Sequence, residues 1–465
     1  MSTSWRPNIL LIIADDLGKD VVNITGSGAT RAMEVSNDGI ANDLPNVSLL
    51  LRNGFYFRQA WAQPACSPTR ASIFTGTQSW QHGVGSPGGP HNLEQSNVAL
   101  PRVLPQEYAS GLFGKWHLGE DSPYLPTDHG WDKHVGTLDG VVPGPGGYSS
   151  WGKFDSDDWN YPAAVTSSEY VTRDTVEEAA HWIRGLRRDV PWFATVAFHT
   201  PHTPLHEPPD GHNLPGAAGP QEQFNAMVQN MDHNIGRLFG TVGSSPIPEA
   251  QLENTIVIFI GDNGSDDPIA VLEEKTEIYE GGVRVPMIIA DGRALVQEMN
   301  GAAIAPIYVD PGKLNDSTPR MAHVVDLFRT IADIAGVPSH ALPTAARQES
   351  KSLLDYVAKP GSQPSARTFN FSQYFVSGNK LATLRNSDYK LNYLLVPPAA
   401  APDLQLFEYI GGEIPGAEDD PVSPPPDLHA SAVADPASPE GVALTALLAE
   451  LATHEADAAG TAFDL

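Results

Sequence analysis

Three short polar clusters and a lone cysteine carry the residue types that could do chemistry. Asp15-Asp16 follows the apolar run Ile9–Ala14, His199-Thr200-Pro201-His202 follows Phe193–Phe198, and Gly261-Asp262-Asn263-Gly264 follows Ile256–Ile260. Asp15, Asp16, Asp262 and Asn263 offer only oxygen donors, a set that suits a hard divalent cation such as Ca2+ or Mg2+. Taken singly, Asp15 reads as a helix cap and Asp262-Asn263-Gly264 as a surface turn. Their coincidence at two strand ends favours a metal. His199, His202 and His206 could be read as a zinc cluster, but Pro201 and Pro204 break any helix that would align them and no thiolate joins them. One catalytic imidazole from the group is more economical. Cys66 opens Cys66-Ser67-Pro68-Thr69-Arg70, which reads as a loop feeding a helix. Near a positive helix end and beside Arg70, it is either a thiolate nucleophile or a buried structural thiol.

For these clusters to meet, the runs before them must be strands of one sheet. The runs are short and uninterrupted, as in buried parallel strands, with Val285–Ala290 as a fourth. Three-and-four spacing predicts a helix over Gln221–Phe239 ended by Gly240, and another from about Pro319 to Ala335. Strands alternating with helices give an α/β fold, a large mostly parallel sheet sandwiched by helices, and such sheets bind ligands beyond the carboxyl ends of their strands. The interval Asp121 to Pro162 is rich in Gly, Pro and Trp, includes Pro143 to Gly147, lacks a helical period and reads either as a loop covering the site or as an ordinary surface excursion. Trp80, Trp151, Trp159 and Tyr148 could stack on an aryl or sugar ring there, or simply pack the loops. Lys380–Leu384 and Tyr389–Leu395 predict an antiparallel hairpin, followed by a Pro421 to Pro426 stretch and a helix from about Gly441 to Ala456. The expected division is a catalytic domain over residues 1–365 and a small C-terminal α+β subdomain over 366–465.

The chain has 465 residues and 41% hydrophobic side chains, enough for a large core. With 28 Lys+Arg against 56 Asp+Glu the net charge is −28, which disfavours nucleic acid or an anionic membrane as partner. One cysteine excludes an internal disulfide or a Cys-based zinc site. The first apolar run is too short for a signal-peptide core and no stretch approaches a membrane span, so a cytoplasmic or already processed protein is expected. Asn263-Gly264-Ser265 fits a glycosylation sequon, but placed at the metal cluster it is a false positive.

Cys66-Ser67-Pro68-Thr69-Arg70 resembles the Cys-x-Pro-Ser/Thr-Arg signature of the type I sulfatases (arylsulfatases) of the alkaline phosphatase superfamily. Pro7-Asn8-Ile9 through Gly18, Gly114-Lys115-Trp116-His117-Leu118-Gly119, Gly130-Trp131-Asp132, Pro201-His202-Thr203-Pro204, Asp262-Asn263-Gly264 and Lys275 to Pro286 follow in that family's order, and Leu404 to Tyr409 resembles its C-terminal element. The resemblance spans nearly the whole chain. It implies an alkaline phosphatase-like fold and a sulfuric ester hydrolase. It puts on Cys66 the cysteine oxidised to formylglycine, whose hydrate attacks sulfur and then expels sulfate. It also implies Ca2+, with Mg2+ or Mn2+ as alternatives, held by Asp15, Asp16, Asp262, Asn263 and an oxygen on the modified Cys66. Arg70 would support the hydrate, Lys115 and Lys275 would bind sulfate oxygens, His117 would take the hydrate proton, and His202 would assist the leaving alcohol. His199 departs from the family pattern. A formylglycine-generating maturation enzyme and a small sulfate ester are the implied partners. Two other readings stand beside this one: a hydrolase of phosphonate monoesters or phosphodiesters from the same superfamily, and a non-catalytic sulfate-binding protein with an unmodified Cys66.

Overall fold

Apolar runs without alternation belong to strands buried on both faces, and the fold is built around them. A computed structural model describes residues 6–37, 40–87, 92–122, 124–142, 147–157, 163–243, 246–270, 274–314, 316–358, 367–376, 378–396, 402–408 and 427–455. Pro143 to Gly146, Trp159, Tyr409, Pro421 to Pro426 and the expected 365/366 boundary lie outside the described residues. A ten-stranded sheet runs, in spatial order, Asp316–His323, Gly54–Trp61, Met287–Asp291, Thr255–Gly261, Asn8–Ala14, Trp192–Ala197, Ala109–Lys115, Lys133–Thr137, Trp151–Asp157 and Val165–Ser167. The five strands from Thr255–Gly261 to Lys133–Thr137 are mutually parallel.

The central strand shows how both faces are filled. Ile9, Leu11 and Ile13 pack with Phe74, Leu327 and Phe328 on one side. Leu10, Ile12 and Ala14 pack with Val176, Val228 and Ile235 on the other. The second side is covered by the helices Val171–Gly185 and Pro220–Phe239, and the first by Cys66–Thr75 and Asp326–Ile334. The α/β sandwich is therefore as the sequence predicts.

Three expectations need correction. The run at 285–290 is not a parallel strand: Met287–Asp291 is antiparallel to both neighbours. A parallel return needs a long crossover to the opposite end of the sheet, whereas the chain after Gly261 stays at the carboxyl end and turns back through the short helix Glu280–Val283. The helix expected from Pro319 begins only at Asp326, because Asp316–His323 is a strand. Pro319 is tolerated there since the strand lies at the sheet edge and its register shifts between Thr318 and Met321. The interval expected as loop from Asp121 contains two strands, Lys133–Thr137 and Trp151–Asp157.

A four-stranded antiparallel sheet, Asn370–Val376, Asn379–Arg385, Tyr389–Leu395 and Asp403–Glu408, forms the small C-terminal unit, with the helices His429–Ala434 and Pro439–Glu455. Phe371, Leu384, Leu391, Leu447 and Leu451 make its own core. Among the described residues no helix is long and apolar enough to cross a membrane.

Candidate functional site

Register places the polar clusters side by side. Ala14 pairs with Gly261 and Ile13 with Ala197; Ala197 pairs with Gly114, and Lys115 with Thr137. The carboxyl ends of five adjacent parallel strands therefore deliver Asp262-Asn263, Asp15-Asp16, His199 to His202, Lys115 to His117, and Thr137 to Gly140 to one rim. Among the described residues the non-glycine positions with positive φ are Asp16 at 62°, His117 at 60° and Thr276 at 74°. Two are predicted site residues and the third follows Lys275. Left-handed backbone at such residues is strained and persists only where the surroundings enforce it, which concentrates strain at this rim.

Cys66 sits at the first turn of the Cys66–Thr75 helix, and every residue of that helix is buried. Its Sγ lies 3.2 Å from His117 Nδ1. Burial pushes the Cys66 thiol up, so as a thiol it is a poor nucleophile. Four residues along, Arg70 donates to Lys115 O at 3.0 Å and to Asp262 Oδ2 at 2.9 Å. Lys115 Nζ reaches Asp15 Oδ2 at 2.5 Å, and Lys275 Nζ reaches Asp16 Oδ2 at 2.9 Å. Burial works against charge on Lys275, yet Asp16, Cys66 and Asp15 hold its pKa above the ordinary value, so it stays cationic.

Asp15, Asp16 and Asp262 gather one oxygen each within 4.8 Å of one another, all buried. Burial opposes charge on Asp15, but Lys115, His202, Arg70 and Lys275 outweigh it and keep its carboxyl well below the usual carboxylate range. Burial and the Asp15 charge push the neighbouring Asp262 carboxyl up. Two carboxylates in one dry site resist joint ionisation unless a cation joins them. Asp15 Oδ1 and Asn263 Oδ1 are buried without a hydrogen-bond partner, while Asn263 Nδ2 donates to Asp16 Oδ1 at 2.7 Å and turns its own oxygen free. Orphaned buried oxygens of this kind are costly, and an all-oxygen set with two of them fits a hard divalent metal. Asn263 is fully buried, so the sequon is not available to a glycan.

The three histidines separate. His202 Nδ1 donates to Thr203 O at 2.8 Å, leaving Nε2 facing Asp16 Oδ2 at 3.6 Å. His199 is buried with Nε2 against Thr137 Oγ1 at 2.7 Å, and burial with the Lys115 charge holds its pKa well below the usual imidazole value. His206 is tied to Tyr170 OH at 2.9 Å and Pro204 O at 2.8 Å. They do not converge on a zinc site. Of the rings considered for substrate stacking, Tyr148 is buried and its hydroxyl lies 2.7 Å from both His199 O and His202 O. Trp151 is buried and donates to Glu169 O. Trp80 packs against the C-terminal core. These residues hold structure in place.

The sequence does not reveal Gly140, nor the clamping role of Tyr148. Gly140 lies against His117, where an added Cβ would come within 2.1 Å of the ring. Tyr148 clamps the turn that carries His202. Neither has a local sequence signal, since each acts on a residue tens of positions away.

A family model described as Sulfatase matches residues 7–337. The chain is similar to arylsulfatase A of Homo sapiens, 25% identical over 426 residues covering 84% of this chain and 76% of that protein. It is similar to N-acetylgalactosamine-6-sulfatase of Homo sapiens, 26% identical over 357 residues covering 71% and 62%. Among solved structures, Ps i-CgsB superposes with a TM-score of 0.70 at 20% identity, covering 98% of this chain and 94% of that one. Another, described in complex with its substrate D-glucosamine-2-N,6-O-disulfate, gives 0.66 at 16% identity, covering 97% and 99%. At those identities the structural likeness speaks for the fold.

Proposed function

This chain belongs to the sulfatase family and is a sulfuric ester hydrolase, and from that premise we propose that it cleaves a small sulfate monoester through a formylglycine made from Cys66 and a divalent metal. The observation that carries the reading is Cys66, 3.2 Å from His117, on the same buried helix as Arg70, which donates to Asp262 of the Asp15, Asp16 and Asp262 cluster. A formylglycine at position 66 supplies a hydrated aldehyde, one hydroxyl to attack sulfur and a second whose deprotonation lets sulfate leave. A Ca2+, Mg2+ or Mn2+ ion held by Asp15, Asp16, Asp262 and Asn263 supplies positive charge that lowers the nucleophile's pKa and neutralises sulfate oxygens.

The side chains do the rest. Asp15, Asp16 and Asp262 are balanced by Arg70, Lys115 and Lys275, so each divalent charge added to the cluster leaves the pocket net positive and complementary to an anionic ester. Arg70, held at Lys115 O and Asp262, fixes the oxygen carried by residue 66. Lys115 and Lys275 orient the sulfate oxygens. His117 Nδ1 takes the proton from the group at position 66. His202, with Nδ1 committed to Thr203 O, offers Nε2 to the leaving oxygen.

Purified, matured protein assayed with 4-nitrophenyl sulfate and with a phenylphosphonate monoester tests the reading. Faster turnover of the sulfate ester, and a carbonyl-reactive probe labelling position 66, are expected. Faster phosphonate turnover would replace the substrate class. Full activity with an intact thiol at Cys66 would overturn the mechanism.

A further inference from the structure

We propose that Tyr374, in the C-terminal sheet, is a specificity-determining residue whose ring borders the Cys66 pocket and favours esters with a ring-shaped leaving group over flexible alkyl sulfates. The inference deepens the sulfatase reading and rests on it. The strand Asn370–Val376 docks on the stretch just ahead of Cys66. Asn370 Nδ2 donates to Ala322 O at 3.0 Å and Ser372 Oγ to Ala62 O at 2.7 Å, while Gln373 N donates to Gln63 Oε1 at 2.9 Å. In a strand, residues two apart share a face. Asn370 and Ser372 thus define the face turned to the catalytic unit, and Tyr374 is the next residue on it.

Burial along that face changes at this residue. Asn370 and Ser372 are fully buried, whereas Tyr374 is half-buried and keeps part of its ring accessible. Further along, the strand is held to the same unit: Trp80 N donates to Gln373 Oε1 at 3.3 Å and Phe375 N to Gly85 O at 3.2 Å. Its backbone is thereby fixed. The same sheet also meets the segment a few residues past Lys275, where Lys390 Nζ lies 3.4 Å from Glu280 Oε1 and Tyr279 OH 3.5 Å from Gln405 Oε1. Burial raises the Tyr374 pKa, against the opposing charge of Lys275. With Tyr148 and Trp151 committed to packing, Tyr374 offers a partly open ring at this place. Offset stacking of an aryl or sugar ring on it would favour such substrates by about 3- to 10-fold.

The test uses full-length, metal-loaded protein carrying Cys66→Ala, so that binding is read without turnover. Calorimetric Kd values for 4-nitrophenyl sulfate and hexyl sulfate are compared with and without Tyr374→Ala, Tyr374→Leu and Tyr374→Phe. The expected result is a weakening of about 3- to 10-fold for the aryl ester with Ala and Leu, near-normal affinity with Phe, and hexyl sulfate within about twofold throughout. Equal changes for both ligands, or no change for the aryl ester in a variant that melts like the parent, overturns the inference. In active protein the same variants should raise KM for the aryl ester and spare kcat. Failure of the Cys66-containing enzyme to hydrolyse either ester counts against the sulfatase reading instead, because the binding comparison does not need turnover.

Discussion

Gly140 lies directly on the imidazole of His117, its missing side chain leaving the space that the ring fills. A methyl group there would stand 2.1 Å from the ring and drive it off Cys66. Gly140→Ala should therefore lower kcat by about 100-fold or more, as when a positioned proton acceptor is displaced. The melting temperature should change little, since the ring can yield. Unaltered kcat would show that His117 is not the acceptor.

Tyr148 predicts a leaving-group effect. Its hydroxyl ties His199 O and His202 O together, and His202 is assigned to the departing oxygen. Tyr148→Phe keeps the ring packing but loses the clamp. Hydrolysis of alkyl sulfates, whose alkoxide leaves poorly, should fall several-fold more than that of 4-nitrophenyl sulfate, whose leaving group needs little protonation. An equal fall for both would reduce Tyr148 to a packing role.

The orphaned oxygens of Asp15 and Asn263 predict cation dependence of stability as well as of activity. Chelation should lower the melting temperature, and added Ca2+, Mg2+ or Mn2+ should restore it in a concentration-dependent way, as for any ligand that binds only the folded state. Asn263→Leu, which removes one oxygen donor, should weaken that stabilisation. A melting curve indifferent to chelator and cation would remove the metal from the site.

His82 predicts a pH dependence of folding. Its Nδ1 accepts Val84 N at 3.1 Å, so the neutral ring carries its proton on Nε2, facing Ser72 Oγ at 3.1 Å. Burial lowers its pKa to about 3, and that of His134 to about 4. Below an unfolded value of about 6.5 the unfolded chain binds protons that the folded chain refuses, so these groups make stability fall as pH drops from about 6.5 toward 4. The slope of unfolding free energy against pH at pH 5 should be shallower in His82→Asn by about one proton. An unchanged slope would mean that His82 titrates normally when folded.

The legible parts of the molecule share a cause. Strands such as Asn8–Ala14 are buried on both faces and so stand out as apolar runs, and the polar residues directly after them mark the rim where Asp15, Asp262 and His202 meet. Asp316–His323 was hidden because an edge strand tolerates proline and a register shift that a central strand would not. Met287–Asp291 was visible as a strand but not in its direction, which depends on the length of the connection before it. Gly140, Tyr374 and the clamp made by Tyr148 were unreadable because each matters through a residue far away in the chain, joined to it only when the sheet closes.

The burial of the Cys66–Thr75 helix has a consequence in time. Cys66 is 1% exposed, and Ser67, Thr69 and Arg70 are wholly enclosed. A second protein that must grip this stretch to oxidise the cysteine has no surface to grip once the sheet and both helical layers are in place. Under the proposed chemistry, conversion at position 66 would therefore have to precede closure of the core. A copy that folded first would then keep its thiol.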